Sequence, residues 1–168
     1  LDPVKPYIKG DEPGRGFYVH RPGIHFVRNS CISQENYAHS LEKEIFLKPS
    51  FVTHKGLTDN DILLCKDANV GDACMYIEQR KSVTLFSSGI VRLNFLEDKL
   101  KYYCLAFFKD EYFRRQLDAL TPRGATIRHA GDRFLECSIP ELRSSEEWVF
   151  GLFEALVKNI AYSELVCQ

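Results

Sequence analysis

The sequence has no run of about eighteen apolar residues, the length that a helix needs to cross a bilayer. Its first residues also lack the charged and apolar regions of a signal peptide. An excess of charge of one sign is missing as well, because 22 basic residues stand against 23 acidic ones and the net charge is −1. We therefore expect a soluble, cytoplasmic protein that does not bind membranes, and any binding of nucleic acid must depend on a local patch.

Cysteine occurs six times, but never at a spacing that holds zinc or forms a redox pair. The closest two are Cys65 and Cys74, which are too far apart for a zinc knuckle or a Cys-x-x-Cys motif. Most of the six lie in apolar runs, so we interpret them as small buried hydrophobic residues in a reducing compartment. No metal and no cofactor is expected.

A β-hairpin over residues 54–77 is predicted as the centre of a single core, since a chain of 168 residues with 45% hydrophobic content can build one such core. Ile62 to Cys65 form an apolar run typical of a strand buried on both faces, and Ala73 to Ile77 form a second run. The polar turn 67–72 separates them, and Gly71 can take a positive φ there without steric cost.

Short strands and then helices are predicted for the rest of the chain. Six further strand candidates are 17–20, 24–28, 45–47, 51–53, 83–86 and 89–93. From residue 99, apolar residues follow helical spacing in two stretches, and Pro122 with Gly124 ends the second stretch. The predicted fold is mixed α+β, with a twisted, partly barrel-like sheet of short strands, two packed helices and a C-terminal amphipathic helix.

That last helix is predicted from an apolar stripe near the C-terminus. The stripe consists of Val149, Leu152, Phe153, Leu156, Val157 and Ile160. A helix of this length gains little from propensity alone, so the stripe must be buried. We expect 148–153 to dock on the domain, and 156–166 to fray or to pack on a second copy in a homodimer.

Four separated segments occur together in one order and resemble a known family. They are Ile24-His25-Phe26-Val27-Arg28-Asn29-Ser30, the hairpin at 54–77, Gly89-Ile90-Val91-Arg92 with the two helices that follow, and Gly124-Ala125-Thr126-Ile127-Arg128-His129 leading to Ile139-Pro140. Together they are similar to the target-recognition domain of type I restriction-modification DNA specificity subunits, or to the related recognition domain of a fused methyltransferase-nuclease. Asn60 stands where that family has the first glycine of Gly-Asp-Ile-Leu.

The resemblance implies a sequence-specific module for double-stranded DNA that directs partner methyltransferase and endonuclease subunits to their target. Residues 1–143 would form the DNA target-recognition domain, and 144–168 would begin a conserved spacer helix of the coiled-coil kind. On that helix, Leu152, Leu156 and Ile160 would bind partners. An alternative of another class is a protein-interaction module that docks partner subunits through the same helix.

Motifs for catalysis are missing from the sequence, so we expect that the chain is not an enzyme. It has no Asn/Asp-Pro-Pro-aromatic loop for a flipped base and no glycine-containing turn for a methyl donor. A remote alternative is a metal-dependent nuclease in which Asp61 and Glu78 hold the metal, because Glu78-Gln79-Arg80 comes close to the Glu-x-Lys pattern.

Cations that could contact DNA phosphates are concentrated locally despite the neutral total. Between residues 112 and 133, five arginines stand against two aspartates. Four residues lie in or beside the glycine-broken loop of this segment, where exposed N–H groups and guanidinium forks suit phosphate oxygens. These are Arg123, Thr126, Arg128 and His129.

Planar donors that could read base edges occur on a second turn. Gln79, Arg80 and Lys81 connect two predicted strands, and a turn that enters the major groove could present Gln to adenine and Arg to guanine. The predicted DNA-binding set is completed by polar residues at the end of an earlier strand and on the hairpin turn. They are Arg28, Lys66 and Asn69.

Overall fold

Eight short strands precede three helices in the computed structural model, which describes residues 1–41, 43, 45–51, 53–79, 82–122 and 128–167. The strands are β1 (Tyr7–Lys9), β2 (Tyr18–Val19), β3 (Ile24–Val27), β4 (Ile45–Leu47), β5 (Ile62–Cys65), β6 (Ala73–Met75), β7 (Thr84–Phe86) and β8 (Ile90–Leu93). The helices are α1 (Lys99–Lys109), α2 (Glu111–Leu120) and α3 (Trp148–Val166). Short 3-10 turns occur at Arg15–Phe17, Asn29–Cys31, Arg133–Glu136 and Ser144–Glu146.

The strands form two four-stranded sheets that are not closed into a barrel. The first sheet has the order β1-β8-β5-β6 and is antiparallel throughout. The second has the order β2-β4-β3-β7, and β3 pairs with β7 in parallel. The predicted mixed α+β class with short strands is therefore confirmed, and the strands are divided between two sheets.

The first sheet is the middle layer of the molecule, because side chains alternate between its faces and both faces are covered. One face, with Ile62 and Leu64 of β5, joins the core that the three helices cover. The other face, with Leu63 and Cys65, packs against Val27 and other residues of the second sheet. All four side chains of β5 are fully buried, as the uninterrupted apolar run predicts.

The second sheet has its own small cluster on the side away from this interface. Phe26, Leu47 and Leu85 form it, one from each of three adjacent strands. The chain therefore builds two layers of strand and one of helix. The loops that connect the strands lie at the ends of the layers, where they can present polar side chains.

A buried lysine ties a long loop to the middle of the molecule. The ammonium of Lys109, at the end of α1, donates hydrogen bonds to the carbonyl oxygens of Ser33 at 2.9 Å and Asn36 at 2.5 Å, and also to that of Ala73. Burial lowers the pKa of Lys109. This cation holds the loop before β4 against the start of β6.

Some predicted elements differ in the structure. Tyr7–Lys9 is a strand, although the proline- and glycine-rich sequence around it reads as irregular. Residues 33–41, whose polar sequence allows one or two helical turns, show bends and one isolated bridge instead. Phe51 and Thr53 lie outside the strands, and Val52 lies outside the described residues.

Four of the six cysteines are buried, as predicted, whereas Cys137 is half-buried and Cys167 is exposed. No helix in the described part of the chain is long and apolar enough to cross a membrane.

Candidate nucleic-acid interface

The turn of the central hairpin, residues 66–72, is the element on which the candidate interface is built. The N–H of Gly71 donates to the carbonyl of Cys65 at 2.9 Å, and that of Asp72 donates to Asn69 at 3.0 Å. Gly71 has a φ of +92°, as predicted, and a Cβ there would lie 3.1 Å from the Leu117 side chain of α2. The turn is therefore closely packed against α2 and holds Asn69 at its exposed tip.

Residues 128–130 pair with this turn. The N–H of Ala68 donates to the carbonyl of Arg128 at 2.9 Å, and the N–H of Ala130 donates to Lys66 at 2.7 Å. Asp67 and His129 form an isolated antiparallel bridge between these contacts. Residues 128–130 have no periodic pattern in the sequence, but the backbone pairing places Arg128 and His129 beside the hairpin turn.

Asn29 joins a third segment to the same turn. Its side-chain amide donates to the backbone carbonyls of Asp67 at 2.6 Å and Gly89 at 3.3 Å. The backbone carbonyl of Asn29 accepts from the side-chain amide of Asn69 at 3.5 Å. Arg28 precedes it in the chain and is thereby positioned next to the turn. Asn29 is a positioning residue that sequence reasoning missed, and its place directly after a strand was the one available signal.

The structure thus brings together five of the predicted DNA-binding residues: Arg28, Lys66, Asn69, Arg128 and His129. Lys66 differs from the others because its side chain is only 13% exposed and its ammonium is paired with Asp67 at 2.9 Å. It stabilises the turn and offers little to a ligand. We call the four exposed residues, Arg28, Asn69, Arg128 and His129, the loop patch.

Asp67 is the electrostatic centre beneath the loop patch. Its carboxylate accepts from the Lys66 ammonium and, at 2.8 Å, from Nδ1 of His129. Burial is the largest influence on the Asp67 carboxyl and opposes its ionisation, but the two hydrogen bonds outweigh it and lower its pKa. The carboxylate therefore fixes the His129 ring with its other edge free to face outward, where the side chain is 62% exposed.

Most of the arginines counted between residues 112 and 133 already have partners. Arg114 pairs with Asp72 and Arg115 with Glu111, while Arg128 pairs with Asp118 at 2.6 Å. The ion pair of Arg128 lies near the turn, and both of its side chains are more than two-fifths exposed. Such an ion pair contributes little to stability, so a phosphate can compete with Asp118 for the guanidinium. The sequence count overstated the local positive charge because Asp72 lies outside the counted window.

The predicted base-reading turn lies elsewhere. Gln79 is exposed and follows β6, at the opposite end of the hairpin from residues 66–72. A four-residue strand spans roughly 13 Å, so Gln79 and the loop patch would touch a duplex at separate points. Arg80, Lys81, Arg123 and Thr126 lie outside the described residues, and their predicted roles stay predictions.

Asp61 has a structural role that argues against the nuclease alternative. Its carboxylate accepts from the backbone N–H and the hydroxyl of Thr58, at 2.8 and 3.0 Å, and lies 3.5 Å from the guanidinium of Arg92. These contacts close the turn before β5. Glu78 is exposed at the same end of the strand pair, and its N–H donates to the Asp59 carboxylate of this turn at 2.9 Å.

The C-terminal helix has two apolar faces. Val157, Ala161 and Leu165, spaced by four residues, are buried in the core with α1, and Glu164 accepts from the N–H of Ala38 at 2.8 Å. The expectation that 156–166 frays is therefore wrong, because this part of the helix docks on the domain, and the homodimer stays a prediction. The predicted partner-binding residues lie on the opposite face and are exposed by two-fifths to one-half: Leu152, Leu156 and Ile160.

No protein-family model and no curated protein sequence matches the chain. Similar folds occur among solved structures. A chain from a study of complex assembly and conformational transition of the type I restriction-modification system superposes with a TM-score of 0.61. It is 16% identical and covers 95% of this chain and 37% of that one. A type I restriction-modification S subunit from M. genitalium gives a TM-score of 0.43 at 14% identity, over 73% of this chain and 28% of that one. This chain, which spans little more than a third of the first neighbour, therefore shares the fold of a part of a type I restriction-modification system, as the sequence resemblance implies.

Proposed function

We propose that this chain is the DNA-recognition module of a restriction-modification system, and that it directs methyltransferase and endonuclease partners to a sequence in double-stranded DNA. The proposal is carried by the loop patch, which gathers Arg28, Asn69, Arg128 and His129 from three segments onto one surface of a chain with this fold. Guanidinium groups suit phosphate oxygens, and an exposed amide suits an adenine edge.

In this proposal the parts of the loop patch have different tasks. Arg28 and Arg128 neutralise phosphates and set the register of the protein on the duplex, because such contacts carry no sequence information. Asn69 stands at the tip of a closely packed turn, so its amide is presented with little conformational freedom to a base edge. His129, held by Asp67, contacts either the sugar-phosphate backbone or a base.

The chain is proposed to have no chemistry of its own. The carboxylate that a nuclease would use, Asp61, is engaged by Thr58 and Arg92 in a turn. Residues 1–143 are proposed to carry the DNA contacts, and the helix that begins at 148 is proposed to present its outward face to partner subunits. The exposed Leu152, Leu156 and Ile160 support that second part, since a soluble helix rarely leaves such a stripe uncovered.

Fluorescence anisotropy with a random duplex pool tests the DNA proposal. Non-specific binding of this kind has a dissociation constant on the order of 10⁻⁴–10⁻⁶ M, so protein is titrated to that range at two salt concentrations. Wild type should bind and weaken steeply with salt. Arg128→Gln should reduce the salt slope by about one, the amount for one lost phosphate contact.

Arg115→Gln is the matched control, because Arg115 is also an exposed arginine with a carboxylate partner, and its pair with Glu111 lies within α2. It should leave both affinity and slope unchanged. Asn69→Ala should alter preference among duplexes more than it alters the slope, and the cost of one lost base contact is about 1–3 kcal/mol. Absence of salt-dependent binding by the wild type, or equal effects of Arg128→Gln and Arg115→Gln, would contradict the proposal.

A further inference from the structure

A cleft of about 680 Å³ lies on the second sheet, along β2 and β4. Arg21 lines one end of it and Arg28 lines the other, with Tyr18, Ile45 and Phe46 between them. No carboxylate is among the described residues that line it. The cleft is therefore a concave surface with an apolar floor and two guanidinium groups.

Arg21 is held in place by its neighbours. Its guanidinium carbon lies 5.0 Å from the centroid of the Phe46 ring, within the range of a cation–π contact. Phe46 is fixed in turn by the His25 ring, which packs edge-on at 4.8 Å. The turn that carries Arg21 also lies tightly on β4, since a Cβ on Gly23 would lie 2.6 Å from the carbonyl oxygen of Leu47. The guanidinium thus loses little freedom on binding a ligand.

Neither guanidinium has an anionic partner in the described part of the chain. Ion pairs there involve other basic residues, and neither Arg21 nor Arg28 takes part in one. This distinguishes them from Arg114, Arg115 and Arg128, each of which has a carboxylate. Two exposed arginines in one cleft without a counter-charge repel each other and favour an anion between them.

Tyr18 connects the cleft to the loop patch. Its side chain is 41% exposed and packs edge-on against Phe26 at 6.2 Å. With Arg28 it also lines a smaller cleft of about 290 Å³, whose opposite wall includes Asn29 and Ala68 beside the hairpin turn. Tyr18 and Arg28 therefore line both clefts, which together extend from Ala68 of the hairpin turn to Arg21.

The smaller cleft is unsuited to a phosphate. Asp11 and Glu12 line it, and the Asp11 carboxylate is 3.2 Å from the Lys55 ammonium, which neutralises only one of the two. A DNA backbone that continues from the loop patch would meet negative charge in the smaller cleft and positive charge in the larger one. The charge distribution therefore selects the larger cleft for the next phosphate.

We infer that Arg21 and Arg28 form a second binding site for the phosphodiester backbone of DNA, in the cleft between β2 and β4, with Tyr18 against the sugar. The site rests on the proposed function and extends the loop patch across the second sheet. A phosphate oxygen accepts from each guanidinium, and the tyrosine ring offers an apolar face to the deoxyribose edge. The ligand chemistry is that of a phosphate anion, which could also come from free phosphate.

Salt-dependent anisotropy with a duplex tests this site by comparing wild type, Arg21→Gln, Arg28→Gln and the double variant. Each single change should lower the salt slope by about one, and the double variant should lower it by about two. In practice, raising the salt from about 50 mM to about 200 mM should weaken each single variant by about 3.5-fold less than it weakens the wild type. Arg21→Lys should restore the slope, because the charge returns. Tyr18→Ala should weaken binding without changing the slope.

Three results separate the possible failures. If the wild type shows no salt-dependent binding, both the proposed function and this site are wrong. If the wild type, Arg28→Gln and Arg128→Gln behave as proposed but Arg21→Gln keeps the wild-type slope, only this site is wrong. In a separate arm, inorganic phosphate is added without DNA at constant ionic strength, and the Nε–H resonances of Arg21 and Arg28 are followed. Saturable shifts together with an unchanged salt slope of the double variant would assign the cleft to a free anion and overturn the proposal.

Discussion

Replacing Lys109 by Met should destabilise the whole domain, because its ammonium is the shared donor of three backbone carbonyls. Those of Ser33 and Asn36 belong to the loop before β4, and that of Ala73 begins β6. Methionine keeps the unbranched stem and removes the ammonium, with its hydrogen bonds and its contact with the Tyr37 ring, whose centroid is 5.4 Å away. The change therefore isolates the polar contribution of the side chain.

The magnitude follows from where the three carbonyl oxygens lie. The contacts with Ser33 and Ala73 are partly buried, whereas that with Asn36 is exposed, so water can replace the donor there. Two buried acceptors without a partner cost about 1–3 kcal/mol each. The penalty for burying the ammonium, which also lowers the Lys109 pKa, is relieved at the same time. We expect a net loss of about 3 kcal/mol in the free energy of unfolding.

Urea unfolding followed by circular dichroism measures this loss, and thermal melting checks it. For a chain of this length, about 3 kcal/mol lowers the melting temperature by roughly 6–12 °C. Lys101→Met is the control, because Lys101 is on the same helix and pairs with the exposed Asp98, at 2.8 Å. Its cost should be within about 1 kcal/mol. Equal losses in the two variants would refute the role assigned to the buried ammonium.

Two further predictions concern the last helix and the first strand. Leu156→Asp combined with Ile160→Asp changes only the outward face of α3, so the melting temperature should stay within a few degrees of the wild-type value. Val157→Asp, in contrast, buries a charge and should unfold the domain. Collapse of the double variant would show that the outward face also belongs to the core. The hydrogen bond from the Tyr7 hydroxyl to Asp132, at 2.6 Å, raises the pKa of Tyr7 to about 12. The stabilisation that this hydrogen bond provides is therefore fully present below about pH 10 and is lost as the pH rises through about 12. The difference in urea midpoint between wild type and Tyr7→Phe should be constant below pH 10 and shrink above it, and a difference that grows with pH would contradict this account.

The sequence was sufficient where local pattern and burial agree. Ile62 to Cys65 is apolar at every position, and the strand lies between two covered faces as such a run predicts. The turn residues around Gly71 likewise determine their own geometry, because the positive φ is a local requirement. The two consecutive helices follow from a period that the intervening Asp110 interrupts and caps.

The sequence was insufficient where the partner of a residue comes from far along the chain. Periodicity shows that α3 is apolar, but it cannot tell the face that packs on α1 from the face that points outward, since both carry large aliphatic residues. The arginines of the candidate interface have the same difficulty. Arg114 looks like a solvated helical residue until Asp72 on the hairpin turn is placed beside it.

The pairing of β1 with β8 has a consequence for how the chain acquires its structure. Tyr7 lies opposite Leu93, and in the second sheet Phe26 lies opposite Leu85, so each sheet joins strands from widely separated parts of the chain. Closing such long loops costs entropy before any contact compensates it, and folds of this kind reach the native state in milliseconds to seconds rather than microseconds. During synthesis, β1 therefore cannot pair until β8 has emerged from the ribosome. The contacts between α1 and α2, in contrast, are local in sequence.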